Sequence, residues 1–115
     1  MNNETPLRFG LKETTIEQIT GVFSSHLEVE SAILYGSRAK GNYRKDSDID
    51  LTLTGEGLTY RTVARIEDEI DDLLLPYLFD ISILSYIDNS DVLAHIRRVG
   101  IPFYQRKSEH LETDA

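Results

Sequence analysis

The most informative stretch of this chain runs from Leu34 to Leu51 and reads Leu-Tyr-Gly-Ser-Arg-Ala-Lys-Gly-Asn-Tyr-Arg-Lys-Asp-Ser-Asp-Ile-Asp-Leu. An apolar segment ends in Gly36-Ser37, a basic loop follows, and a second apolar segment opens with Asp48 and Asp50. Because side chains at i and i+2 of a strand share a face, both carboxylates should converge beside a turn whose amides can hold an anion. Carboxylates, a metal ion and a phosphate cradle are typical of metal-dependent phosphoryl or nucleotidyl transfer.

Composition limits the function classes that fit this chain. A length of 115 residues suits one domain, and the absence of cysteine excludes disulfides and cysteine-based zinc sites. No segment approaches the roughly 20 apolar residues that span a bilayer, and the first residues lack the pattern of a secretory signal. We therefore expect a cytoplasmic protein that does not bind membranes.

Charge is unevenly distributed along the sequence. The formal net charge of −8 disfavours binding of long nucleic acid, yet four basic residues fall within the loop between Ser37 and Ser47. A local positive patch fits one small polyanion such as a nucleoside triphosphate, although a solvated loop face would give the same pattern. The acidic remainder suits a basic protein partner.

Hydrophobic periodicity predicts helices and strands in alternation. We expect a helix opened by Thr14 or Thr15, with Glu17 completing a capping box, and another opened by Thr59 and ended by Pro76. The predicted strands are 31–35, 48–54 and 78–84, with a short helix in loop 36–47, a last helix over 90–99 capped by Gly100, and a short strand over 101–104. Residues 1–12 are predicted to be a flexible arm, 13–104 the domain, and 105–115 a mobile tail.

The stretch from residue 34 to residue 51 resembles the motif of the polymerase-β-like nucleotidyltransferases. It is most similar to their small stand-alone members, the minimal nucleotidyltransferases (MNT-type antitoxins) that are partners of helical HEPN proteins. The order of elements is similar along roughly residues 13–104. The resemblance implies an α/β (α+β) fold with a small mixed sheet and helices packed on one face of it. The implied order of elements is α-β-α-β-α-β-α, and the active site is expected on the open face of the sheet.

Three carboxylates are candidate catalytic and metal-binding residues, namely Asp48, Asp50 and Asp80. Residues 79, 81 and 83 are apolar and predicted to face inward, so Asp80 should point to the opposite side and join the pair if its strand neighbours theirs. The resemblance assigns Asp80 to the third acidic position of the family. The alternatives are a charged strand edge facing solvent and a turn aspartate. Like charges on one face of a sheet repel each other, which favours a bound metal.

The candidate nucleotide- and phosphate-binding residues are Gly36, Ser37, Arg38, Lys40 and Ser47. Glycine lets the backbone approach a phosphate closely, while Ser37 could instead be a simple helix cap. Ser47 is also predicted to cap or orient the aspartate pair. The stretch is not a P-loop, since Asn42-Tyr43 replaces Lys-Ser/Thr, and Leu51 and Gly57 exclude an EF-hand loop. His95 is interpreted as a structural or surface residue.

The resemblance implies transfer of AMP from ATP onto an acceptor hydroxyl with release of pyrophosphate, dependent on one or two Mg²⁺ ions or on Mn²⁺. Larger relatives hold the acceptor with an additional helical domain. Here the resemblance implies a separate HEPN toxin that is itself adenylylated on a tyrosine. Two alternatives stay open: an antitoxin that binds its partner by occlusion without catalysis, and nucleotidylation of a small molecule with a partner subunit. A homo-oligomer is compatible with the sequence.

Overall fold

The computed structural model of the protein describes residues 7–107. Its strands are β1 (Leu7–Arg8), β2 (Leu11–Lys12), β3 (Ser31–Tyr35), β4 (Ile49–Thr54), β5 (Phe79–Ile83) and β6 (Ile101–Gln105). Its α-helices are α1 (Glu13–Ser24), α2 (Ser37–Lys40), α3 (Tyr60–Asp71) and α4 (Ser90–Val99), and a 3₁₀ turn spans Leu84–Tyr86. No helix within this described part is long and apolar enough to cross a membrane.

Four strands form one mixed sheet in the order β5-β4-β3-β6. Strand β3 is antiparallel to both β4 and β6, whereas β4 and β5 are parallel. Parallel neighbours require a long crossover, which the segment containing α3 provides. The predicted α+β fold with a small mixed sheet is therefore confirmed, and the second and third predicted strands are direct neighbours.

One face of the sheet is covered by α1 and α3, which bury apolar residues such as Phe23 and Ile66 against the strands. The inward residues of the central strands, including Leu34 and Leu51, are fully buried in the same cluster. The prediction that the helices pack on one face is wrong for α4, which packs against β3 on the opposite face, near Ile33. We call this opposite face, which carries Asp50 and Asp80, the site face.

Several predicted element boundaries need correction. Helix α1 begins at Glu13 after Lys12, which makes no side-chain cap, so the predicted capping box of Thr14 is wrong. Thr59 does cap α3, since its hydroxyl accepts a hydrogen bond from the Thr62 N–H at 3.3 Å. Helix α3 ends at Asp71, well before Pro76, because the chain then turns through a left-handed residue, Leu74, with φ of 57°.

The predicted flexible arm is wrong over residues 7–12. Strands β1 and β2 pair there in an antiparallel hairpin, and Leu11 is fully buried in the core. The turn is made by Phe9 and Gly10, which both have positive φ. Residues 1–6 of the predicted arm and 108–115 of the predicted tail lie outside the described residues, whereas Gln105 belongs to β6.

Substitution of Gly10 by alanine is expected to destabilise the fold. Its φ is +76°, and a Cβ there would lie 2.5 Å from Cε1 of Tyr43 and 2.8 Å from Nη1 of Arg38. Strain and overpacking together should lower the free energy of unfolding by about 1–3 kcal/mol, measured by urea denaturation. Gly21→Ala in α1 is the matched control, since a Cβ there meets nothing within 4 Å. Equal stabilities for the two variants would contradict this role of Gly10.

Candidate active site

The site face is organised by the register of three neighbouring strands. Tyr35 of β3 lies opposite Asp50 of β4, and Asp50 lies opposite Asp80 of β5. Because Leu51 and Ile81 point into the core, Asp50 and Asp80 project together from the other side of the sheet. The structure therefore brings Asp50 and Asp80 side by side, as predicted, and Asp48 immediately precedes β4 as an exposed residue.

The carboxylates of Asp48, Asp50 and Asp80, which we call the acidic row, interact electrostatically. Partial burial, and then the charges of Asp80 and Asp48, raise the pKa of the Asp50 carboxyl above its ordinary value, while His95 counteracts this effect. Burial also raises the pKa of the Tyr35 phenol; the Ser82 hydroxyl opposes this, and the charges of Asp80 and Asp50 add to it. Like charges are thus concentrated on the site face, at a cost that a bound cation would offset.

The donor atoms on this face suit a hard divalent cation. Carboxylate oxygens are the ligands that Mg²⁺ and Mn²⁺ prefer, and the pKa of the Asp50 carboxyl is raised first by partial burial and then by the charges of Asp80 and Asp48. Within residues 7–107, however, no three acidic, histidine or cysteine side chains are already close enough together to hold an ion. The carboxylate oxygens are therefore chemically suited to the ion. The side chains would have to rotate to bring these oxygens together around it.

Gly36 forms a sharp turn against Asp50. It has φ of 76° and ψ of −156°, a conformation that is essentially restricted to glycine, and a Cβ at this position would overlap Oδ2 of Asp50. Gly36 precedes α2, so the cap position belongs to Gly36 and not to Ser37, which is the first residue of the helix. The alternative interpretation of Ser37 as a simple helix cap is wrong, and phosphate binding by Gly36 and Ser37 stays a prediction.

Arg38 is buried, which disagrees with its predicted role in phosphate binding. Its side chain is 2% exposed, and the guanidinium donates hydrogen bonds to the carbonyl oxygens of Phe9, Lys45 and Ser47 at 2.8–3.2 Å. The rings of Tyr43 and Tyr77 flank it, with centroids 5.4 and 5.1 Å from its Cζ. Because its donors are directed at backbone carbonyls, Arg38 does not reach a phosphate and instead holds the loop to the hairpin.

The remaining loop residues divide into an orienting group and a surface group. The Ser47 hydroxyl accepts a hydrogen bond from the Arg44 N–H at 2.7 Å, and its carbonyl accepts from Arg38. Ser47 therefore shapes the loop that leads into Asp48, whereas orientation of the aspartate pair by Ser47 and phosphate binding by Ser47 stay predictions. Lys40 is exposed at the end of α2, where phosphate contact also stays a prediction.

His95 is a residue of the site face that sequence reasoning missed. It lies in α4, and its Nε2 accepts a hydrogen bond from the Gly36 N–H at 3.1 Å. Its ring meets the Tyr35 ring edge-on, with 6.1 Å between centroids. A single histidine among apolar helix residues gives no signal of this contact, because nothing in the periodicity of α4 refers to a turn 59 positions away.

A known protein family matches the part of the chain that contains the candidate site. The sequence model of the family described as "Polymerase beta, Nucleotidyltransferase" matches residues 17–109. A search of curated proteins gives no significant match. These residues include the Gly-Ser turn, the acidic row and His95, so the family match covers the whole candidate site.

Two solved structures share the fold at low sequence identity. A crystal structure of a toxin–antitoxin with AMP-PNP matches with a TM-score of 0.63 and 15% identity, covering 90% of this chain and 79% of that chain. A mutant of the toxin–antitoxin MntA-HpeT matches with a TM-score of 0.61 and 11% identity, covering 85% of this chain and 77% of that chain. At these identities the likeness shows the fold alone.

Proposed function

Since this chain belongs to the polymerase β nucleotidyltransferase family, we propose that it moves AMP from ATP onto an acceptor hydroxyl in a Mg²⁺-dependent reaction. The observation that carries this proposal is the alignment of Asp50 with Asp80 across parallel strands, beside the turn at Gly36. The family fixes the class of reaction, nucleotidyl transfer. The nucleotide, the ion and the acceptor are the proposed details.

Each group has a defined role in the proposed reaction. Asp48, Asp50 and Asp80 would hold the ion, which when bound supplies positive charge opposite the phosphate oxygens. The acceptor oxygen forms a bond to the α-phosphorus, and the bond from that phosphorus to the bridging oxygen breaks, so that pyrophosphate leaves with the electron pair. The acceptor proton passes to a carboxylate, for which exposed Asp80 is well placed. Catalysis rests on positioning and electrostatics.

We further propose that the acceptor is a tyrosine hydroxyl of a separate helical HEPN-type toxin. Support comes from the two similar folds, which belong to toxin–antitoxin structures, one of them with a nucleotide analogue. The exposure of Asp48 and Asp80 agrees with an acceptor that approaches from outside the chain. A formal net charge of −8 favours association with a basic partner.

The test is the intact mass of a protein that co-purifies with this chain, before and after incubation with Mg²⁺ and ATP. A gain of whole AMP units on the partner, absent with Asp48→Asn and absent after chelation of the metal, is the expected result. A tight complex whose partner never gains mass would overturn protein nucleotidylation and favour occlusion. Asp68→Asn on α3 is the matched control, because it removes an exposed carboxylate away from the site face.

A further inference from the structure

The contact between His95 and Gly36 joins α4 to the turn that borders the acidic row. The Gly36 N–H donates to Nε2 of His95, and the Gly36 carbonyl accepts from the Lys40 N–H at 3.0 Å. Both backbone polar groups of Gly36 are therefore satisfied, one by a local contact and one by a side chain from a distant helix. His95 therefore holds the peptide between Tyr35 and Gly36, α2 holds the peptide between Gly36 and Ser37, and together they fix the backbone of Gly36.

The imidazole is itself held in place. Its ring lies edge-on to Tyr35, and α4 is fixed on the site face by buried Ile96 and by the close approach of Gly100 to Ile33. Because Nε2 accepts this hydrogen bond, the other ring nitrogen, Nδ1, is the one that carries an N–H. The histidine is thus an oriented acceptor on a supported helix.

Displacement of Gly36 would be transmitted directly to the acidic row. There is no room for a Cβ between Gly36 and Oδ2 of Asp50, so the turn and this carboxylate are in direct contact. A rotation of the Gly36 peptide changes the surface that Asp50 packs against. It also moves Ser37, the next residue of the predicted phosphate-binding pair.

We propose that His95 is a positioning residue, whose Nε2 fixes the Gly36 peptide and thereby the distance between the phosphate-binding turn and Asp50. This inference rests on the proposed function, because it assigns the turn to the nucleotide. His95 itself contacts neither substrate nor metal in this scheme. A carboxamide oxygen at the same place would serve equally well as an acceptor.

The test compares His95→Ala, which removes the acceptor, with His95→Gln, whose Oε1 can take the place of Nε2. The kinetic readout is transfer of AMP to the co-purifying partner. We expect His95→Ala to lower kcat/KM by about 10- to 100-fold, mostly through kcat, because a small misplacement of reacting groups has effects of this size. His95→Gln should recover most of the loss. His26→Ala is the matched control, since His26 contacts Glu69 on α3 and should leave kcat/KM unchanged.

A second readout does not depend on activity. Hydrogen exchange of the Gly36 amide should accelerate in His95→Ala and return toward the wild-type rate in His95→Gln. Wild-type kcat/KM in His95→Ala, or equal losses in both variants, would overturn the positioning role. If the wild-type protein transfers no nucleotide, the proposed function fails, while the exchange rates still decide whether His95 holds the turn.

Discussion

Asp50→Asn is expected to lower nucleotidyl transfer by about 10²–10³-fold, the size of effect seen when one preorganised electrostatic contact is removed. The carboxylate lies between Tyr35 and Asp80 on the site face and packs against Gly36. Asparagine keeps the shape of the side chain and removes the charge. Steady-state transfer to the partner, with Asp68→Asn as the control, measures the effect.

The same substitution should raise the stability of the metal-free protein at neutral pH. A carboxyl whose pKa is raised by folding binds its proton more tightly in the folded state, so its ionisation costs stability as pH rises above the unfolded value of about 3.9. Asparagine does not ionise, and Tm at pH 7 should therefore increase by a few degrees. The difference between the two proteins should shrink as the pH is lowered toward 4.

Added Mg²⁺ should reverse the order of stabilities. An ion that binds only the folded wild type stabilises it by an amount that grows with the logarithm of the ion concentration once this exceeds Kd, whereas Asp50→Asn should gain little. Thermal melts with and without Mg²⁺ give this comparison directly. An Asp50→Asn protein that melts below the wild type in the absence of metal, or that retains wild-type transfer, would contradict the arrangement of charges described for the site face.

Arg38→Ala is expected to be the most destabilising single change in the motif loop. It removes the donor from the carbonyls of Phe9, Lys45 and Ser47 and leaves a cavity between the rings of Tyr43 and Tyr77. A fully buried carbonyl left without a partner costs about 1–3 kcal/mol, but these hydrogen bonds are only part-buried and water can reach the carbonyls, so we expect a total loss of about 3–5 kcal/mol. That is a large fraction of the roughly 5–15 kcal/mol by which domains are stable.

Two further variants identify the cause of the loss. Arg38→Lys keeps the charge but lacks the planar fork, so it should recover little stability. Arg44→Ala removes an exposed positive charge from the same loop and should change the free energy of unfolding by less than about 0.5 kcal/mol. Urea denaturation followed by circular dichroism measures all three. Unchanged stability of Arg38→Ala together with a raised KM for ATP would instead restore Arg38 to a phosphate-binding role.

Local patterns in the sequence determined the sheet and the placement of the carboxylates. Alternation of apolar and polar residues in β4 and β5 is a consequence of burial on one face, so it predicts that Asp50 and Asp80 share the other face. The crossover length allowed β4 and β5 to be parallel neighbours, as they are. Gly36 was identifiable because glycine lets the backbone approach a phosphate closely, and the structure adds that its φ is positive.

The tertiary structure alone decided the roles of Arg38 and His95 and the packing of the hairpin over residues 7–12. Arg38 contacts a carbonyl 29 positions away, and His95 contacts an amide 59 positions away. A hydrogen bond to a backbone group carries no periodic or compositional signature, since every residue except proline offers the same donor and every residue the same acceptor. Such contacts depend on how distant segments are brought together. For that reason the sequence did not show that Arg38 is buried and holds the loop, or that His95 lies on the site face.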